Sequence, residues 1–260
     1  MKQRFITAII IIAVLAPILY FGGIAFWALA VVFGLIGTYE MVCIAEKNWP
    51  QPLKILSYVF TLALIFSNLG GVNYFFLVDC IVLISLFTIL IFCPKVQIED
   101  IGVMFMFYNI IGMMIGGFVR FYQISNIMPF YMAFATCFTD AGAYFVGRFM
   151  GKHKLNERIS PNKTIEGAVG GFIIGVIASF LLGYFALVKP GKLPLNLVII
   201  GSITMSFIGQ IGDLAFSAIK RHYGIKDFGT LFPGHGGVCD RIDSISFNTI
   251  WLYVLMLVML

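Results

Sequence analysis

Apolar residues run along this chain in long tracts, and polar residues collect in the short gaps between them. Tracts of roughly 18 or more apolar residues can cross a bilayer core as helices. Such tracts fall at about 4–22, 24–45, 53–70, 74–93, 101–119, 127–147, 165–188, 195–219 and 241–260, with ends set to within a few residues. Gly22-Gly23, the stretch EKNWPQP and the stretch CPK punctuate the first half. The pattern predicts an all-α, polytopic membrane protein of about nine transmembrane helices. No internal repeat or interdomain linker stands out. The first tract, FITAIIIIAVLAPILYF, has no small-residue cleavage signal after it and reads as a retained span. The chain divides into N-terminal transmembrane helices, residues 1–126, and a C-terminal transmembrane region, residues 127–260, in which the candidate chemistry described below lies.

Composition agrees with the pattern: 60% of residues are hydrophobic and 11% are charged. Mean hydropathy is +0.99. Cys43, Cys80, Cys93, Cys137 and Cys239 are scattered, with neither a disulfide framework nor zinc spacing. The net charge of +5 could suggest nucleic acid, but membrane topology accounts for it. If the N-terminus is cytoplasmic, 14 of the 17 Lys and Arg residues face the cytoplasm, leaving Arg120, Lys189 and Lys192 outside. That asymmetry predicts a multi-pass protein of the cell membrane, inner or plasma, with its N-terminus in and its C-terminus out. The two longest gaps, about 148–164 and 220–240, are both basic, glycine-rich and cytoplasmic in this topology.

Charged side chains are rare in spans because one at the bilayer centre costs about 2.5–3.5 kcal/mol, so those present usually face protein or a watery cavity. Asp79 stands alone in its span and reads equally well as a structural hydrogen-bonding group. Glu40 lies near the cytoplasmic end of its span and reads as interfacial. The remaining intramembrane acids gather in the second half. Asp140, Tyr144, Gly147 and Gly151 fall on one helical face, as do Gln210, Asp213, Ser217 and Lys220. Asp240 and Asp243 stand one turn apart at the start of the last span. Gly167, Gly171 and Gly175 form a small-residue ridge suited to close helix packing.

Carboxylates alone would suit a proton relay, and Lys and Arg alone would suit topology. Together with Ser and glycine-rich turns they point to metal and phosphate chemistry. Mg²⁺ takes one or two carboxylates plus substrate phosphates. Glycine-rich turns let backbone N–H groups approach phosphate oxygens. Lys and Arg neutralise charge in phosphoryl transfer. His235 reads as a hydrogen-bonding prop, because direct transfer needs no protein nucleophile.

The stretch SAIKRHYGIKDFGTLFPGHGGVCDRID, residues 217–243, resembles the signature of the phosphatidate cytidylyltransferase (CDP-diacylglycerol synthase) family. Its elements are Ser217, Lys220, Arg221, Lys226, Asp227, Pro233 to Gly237, Asp240, Arg241 and Asp243. DAGAYFVGRFMGKHK is similar to a second family segment through Asp140, Ala143, Tyr144 and Gly147. ISPNKTIEGAVGG is similar to a third through Ser160, Pro161, Lys163, Thr164, Glu166 and Gly167. The resemblance covers roughly residues 130–250 and carries nothing functional to Glu40 or Asp79.

The resemblance implies conversion of CTP and phosphatidate to CDP-diacylglycerol and pyrophosphate, in phospholipid biosynthesis, by a homodimer in the lipid bilayer. It implies Mg²⁺ held by Asp213, Asp240 and Asp243, with a second cation such as K⁺ nearby. The catalytic set it implies is those three aspartates with Lys220 and Arg221. Lys163, Lys220, Arg221, Lys226 and Arg241 would hold triphosphate or lipid phosphate. Asp140, Tyr144, Ser160, Thr164, Glu166, Ser217, Asp227, His235, Gly236 and Gly237 complete the implied substrate-binding set. Two other readings fit parts of the pattern. A CTP-dependent polyprenol or phytol kinase would release CDP. A cation-coupled transporter would place its acids near the midplane of pseudo-symmetric halves, whereas here they crowd one end of one half.

Overall fold

The computed structural model describes residues 2–45, 49–232, 234 and 236–260. Among these residues the helices are α1 (Lys2–Phe21), α2 (Gly23–Ala45), α3 (Gln51–Ser67), α4 (Val72–Phe92), α5 (Ile98–Ile124), α6 (Met128–Met150), α7 (Ile165–Gly183), α8 (Leu195–His222) and α9 (Cys239–Met259). Seven segments are long and apolar enough to cross a membrane, on α2, α3, α4, α5, α7, α8 and α9. Ile10–Phe21 of α1 is a further apolar segment. In α6 the hydropathy is diluted by polar residues such as Thr136, Thr139, Asp140 and Arg148.

α5, α6 and α8 outrun their hydropathy tracts. α5 extends back to Ile98 and on to Ile124, taking in Glu99, Asp100, Arg120 and Gln123. α8 runs 28 residues to His222. Helical hydrogen bonding continues past the point where charge ends an apolar window. α8 stops where Gly224 turns to a φ of 68°. Ile225 N–H then bonds the Lys220 carbonyl and Gly224 N–H bonds the Arg221 carbonyl. This is a Schellman closure, which favours glycine at the left-handed position.

The basic, glycine-rich 148–164 gap contains a hairpin of β1 (Lys154–Asn156) and β2 (Ser160–Thr164). The strands are antiparallel, with Lys154 opposite Thr164 and Asn156 opposite Ser160. Asn156 Oδ1 accepts from Ile159 N–H across the turn, an Asx-type closure. No apolar alternation announces these strands, because among their residues only Thr164 is buried.

The chain forms two compact units. One comprises Met1–Val119 with Asp227–Asp240, the other Arg120–Lys226 with Arg241–Leu260. The 227–240 segment therefore groups with the N-terminal helices, a division that sequence order alone does not suggest. In the first unit, α2 and α3 are joined by a hydrogen bond between the Thr38 and Thr61 hydroxyls. Asn68 donates to the Gly112 carbonyl of α5. Leu64, Ile65, Phe107 and Tyr108 are fully buried there. α4 is exposed along most of its length, as suits a lipid-facing helix.

In the second unit, α6 and α7 pack backbone to backbone. A Cβ on Gly171 would stand 2.5 Å from the Thr139 carbonyl, and one on Gly142 would stand 3.0 Å from Gly171 Cα. The ridge of Gly167, Gly171 and Gly175 is buried against α6, the packing role expected of it. Polar side chains tie the bundle further. Tyr131 donates to the Val198 carbonyl, Gln210 to the Ala168 carbonyl and Asn248 to Thr136.

Candidate functional site

The second unit contains a cavity of about 430 Å³ whose walls include Asp140, Tyr144, Arg148, Lys163, Thr164, Gln210 and Asp213. Each wall has a local cause. β2 brings Lys163 to the cavity, and Thr164 caps α7 by accepting from Gly167 N–H at 3.1 Å. Gly147, Gly151 and Gly167 crowd the Thr164 side chain, so the turn into α7 closes tightly. Glu166 accepts from the backbone of Lys152 and His153 and bonds the His153 ring, which ties the start of the hairpin to α7.

Lys163 forms an ion pair with Asp213 of α8. Asp213 also accepts from the Ser217 hydroxyl, one turn along, at 3.3 Å. Asp140 lies close enough to Asp213, Lys163 and Arg241 to interact with their charges. Asp243 likewise feels Asp213, Lys220 and Asp140. Three carboxylates and three cations of this unit thus act on one another electrostatically. Among the described residues, no three His, Cys, Asp or Glu side chains form a ready metal-ligand set. The donor chemistry nevertheless fits Mg²⁺, which needs only one or two carboxylates when phosphate oxygens supply the rest.

Lys220 and Arg221 are adjacent but differently placed. Lys220 is buried at 8% exposure. Arg221 is exposed, with Nε donating to the Ile159 carbonyl and Nη1 to the Ile225 carbonyl. Its guanidinium thereby joins the hairpin turn to the end of α8. Arg148 donates to the Tyr144 hydroxyl at 2.8 Å. Ser160 lies on β2 opposite Asn156. Lys226 and Arg241 are exposed.

The signature segment of the first unit is organised by carboxylates of its own unit. Asp240 Oδ2 accepts from Phe228 N–H at 2.7 Å and from Gly237 N–H at 3.0 Å. Gly236 has a φ of 82°, and a Cβ there would stand 2.6 Å from Asp240 Oδ2. The N–H of Gly237, one of the substrate-binding residues implied by the resemblance, thus donates to Asp240. Asp227 is exposed. Pro233 and His235 lie outside the described residues.

The structure thus gathers Asp140, Tyr144, Lys163, Thr164 and Asp213 around one cavity, with Ser217 bonded to Asp213. Ser160, Glu166, Lys220, Arg221, Lys226, Arg241 and Asp243 do not line it. Sequence reasoning passed over Glu40, which is 4% exposed and accepts from Val238 N–H and Cys239 N–H, each at 2.8 Å. A buried acid inside a span was the available signal, but its partners lie almost 200 residues away.

Comparison with known proteins agrees with these motifs. The chain is 34% identical to the phosphatidate cytidylyltransferase of Staphylococcus haemolyticus over 270 residues, covering 100% of both chains. It is 32% identical to that of Bacillus subtilis over 271 residues, covering 98% of this chain and 97% of the other. It is 33% identical to that of Staphylococcus aureus over 267 residues, covering 99% of each. The profile of the cytidylyltransferase family matches residues 2–259, so the chain belongs to the cytidylyltransferase family.

Proposed function

We propose that this membrane protein transfers the cytidylyl group of CTP to phosphatidate, forming CDP-diacylglycerol and pyrophosphate. The observation that carries the reading is the Lys163–Asp213 pair in the wall of a cavity shared with Asp140 and Tyr144. Opposed cations and carboxylates around a cavity suit a polyphosphate better than a neutral ligand.

The phosphate oxygen of phosphatidate attacks the α-phosphorus of CTP in line, the bond to the β-phosphate oxygen breaks, and pyrophosphate leaves. The chain contributes position and charge neutralisation rather than a covalent intermediate. Lys163 and Lys220 offset charge on the phosphates, and Arg221 holds the hairpin turn beside them. A magnesium ion bound by Asp213 and Asp243 would screen the negative charge of the triphosphate and the leaving group. Asp240 joins that set in the sequence pattern, although its Oδ2 is already engaged by two backbone N–H groups. The excess of basic residues in the gaps assigned to one side supports a cytoplasmic site and N-terminus, with nucleotide arriving from the cytoplasm and lipid from the bilayer. The homodimer and the second cation, such as K⁺, remain part of the proposal through the resemblance.

The test is Mg²⁺-dependent pyrophosphate release from CTP by the purified protein, with and without phosphatidate, together with product analysis. CDP-diacylglycerol formed only with phosphatidate is expected. CDP with a phosphorylated alcohol would indicate a lipid kinase instead, and ion transport without CTP turnover would indicate a transporter.

A further inference from the structure

Glu40 sits on α2, far in sequence from every motif of the proposed site, yet it grips the signature segment directly. Its Oε1 accepts from Val238 N–H and its Oε2 from Cys239 N–H, each at 2.8 Å. These N–H groups stand at the start of α9, where a helix leaves its amides without partners and favours negative charge. Both oxygens of a buried carboxylate are thus committed to two consecutive amides. The segment is shaped to admit it. A Cβ on Gly229 would stand 2.5 Å from Glu40 Oε1, and one on Gly237 would collide with the same atom. Neither glycine has a left-handed φ, so close approach rather than backbone freedom is what requires them. Cys239 adds a thiol contact to the Gly37 carbonyl, one turn earlier on α2.

We infer that Glu40 is a positioning residue for the transfer reaction, holding the 227–240 segment in the form that presents Asp240. The inference rests on the proposed cytidylyltransferase function. Glu40 touches no substrate in this account and acts only through the backbone it holds. Asp240 closes the segment from within, through Phe228 and Gly237, while Glu40 anchors it to α2. A carboxylate suits the task because it accepts from both amides at once. A glutamine offers one acceptor and turns an N–H group toward the other donor, leaving a buried amide unsatisfied.

The experiment compares full-length wild type, Glu40→Gln, Glu40→Asp and Gly229→Ala in detergent or nanodiscs. Folded fraction is measured by size exclusion and thermal unfolding, and kcat and KM are expressed per folded molecule. Glu40→Gln should lower kcat about tenfold or more and raise the KM for CTP, with Glu40→Asp partly restored. Gly229→Ala, which displaces the carboxylate without removing it, should shift both constants the same way. The double variant Glu40→Gln/Gly229→Ala should be no worse than the weaker single, because both break one contact. Normal kcat and KM per folded molecule in both singles would overturn the inference. So would failure of both to fold, since Glu40 would then serve the fold alone. The wild-type control separates the two claims. If wild type makes no CDP-diacylglycerol, the function fails, and the anchor is judged by hydrogen exchange. Exchange at Val238 and Cys239 should then rise at least about tenfold in Glu40→Gln with the rest of its unit unchanged, and unaltered exchange there would overturn it.

Discussion

Lys163 on β2 and Asp213 on α8 form an ion pair across 50 residues of sequence, with side chains 29% and 26% exposed. The pair connects the hairpin to the helix bundle at the cavity wall. Any cation that binds Asp213 must therefore share the carboxylate with Lys163 or displace it. Lys163→Met should bind Mn²⁺ more tightly than wild type while losing roughly 100-fold in turnover, the scale expected when a charge-stabilising group is removed. Mn²⁺ titration followed by spin resonance, set beside pyrophosphate release, checks both signs. Weaker Mn²⁺ binding would count against competition at Asp213.

Asp243 should behave as a charge rather than as a cap. Its Oδ1 accepts a local bond from Ser244 N–H, which asparagine can reproduce. Asp243→Asn should insert and fold normally but lose roughly 100-fold in turnover, with partial rescue by raised Mg²⁺ or by Mn²⁺. Near-normal activity at low Mg²⁺ would remove Asp243 from the metal set.

Lys220 and Arg221 should respond differently to exchange with each other's type. Arg221 uses two separate guanidinium nitrogens on two carbonyls, so Arg221→Lys keeps the charge but loses the fork. It should lower thermal stability and turnover severalfold while leaving the KM for CTP nearly unchanged. Lys220→Arg must fit a larger planar group into a buried position near Asp243 and should abolish most turnover. Steady-state kinetics on both variants, with CTP varied, distinguishes the two roles.

At Gly171 the α6–α7 contact has no room for a side chain. Gly171→Leu would drive new atoms into the Thr139 carbonyl and Ala143. Overpacking of this kind costs about 1–3 kcal/mol or more. The variant should unfold at a lower temperature in detergent than wild type, as seen by differential scanning fluorimetry. Unchanged thermal stability would mean that the helices can separate without loss.

Sidedness can be read with single cysteines placed in a cysteine-free background. Glu157→Cys in the hairpin turn and Thr230→Cys in the signature segment both replace exposed residues. Both should label only from the cytoplasmic side. Labelling from opposite sides would contradict the charge-based orientation.

The spacing of apolar tracts by itself determined that the chain is a helical membrane protein, because each span must satisfy its own backbone hydrogen bonds in lipid. The order and spacing of Asp, Lys and Gly in residues 217–243 determined the family, because those motifs are contiguous in the chain. Tertiary structure decided what spacing cannot encode. It paired Lys163 with Asp213, made Thr164 the cap of α7, tied Glu166 to the start of the hairpin, and gave the Gly237 N–H to Asp240. It also brought Glu40 to Val238 and Cys239. A buried carboxylate announces in sequence only that it needs donors. Which donors reach it depends on how α2 and the 227–240 segment pack, and that is settled by the shapes of the side chains between them and by the glycines that leave the space.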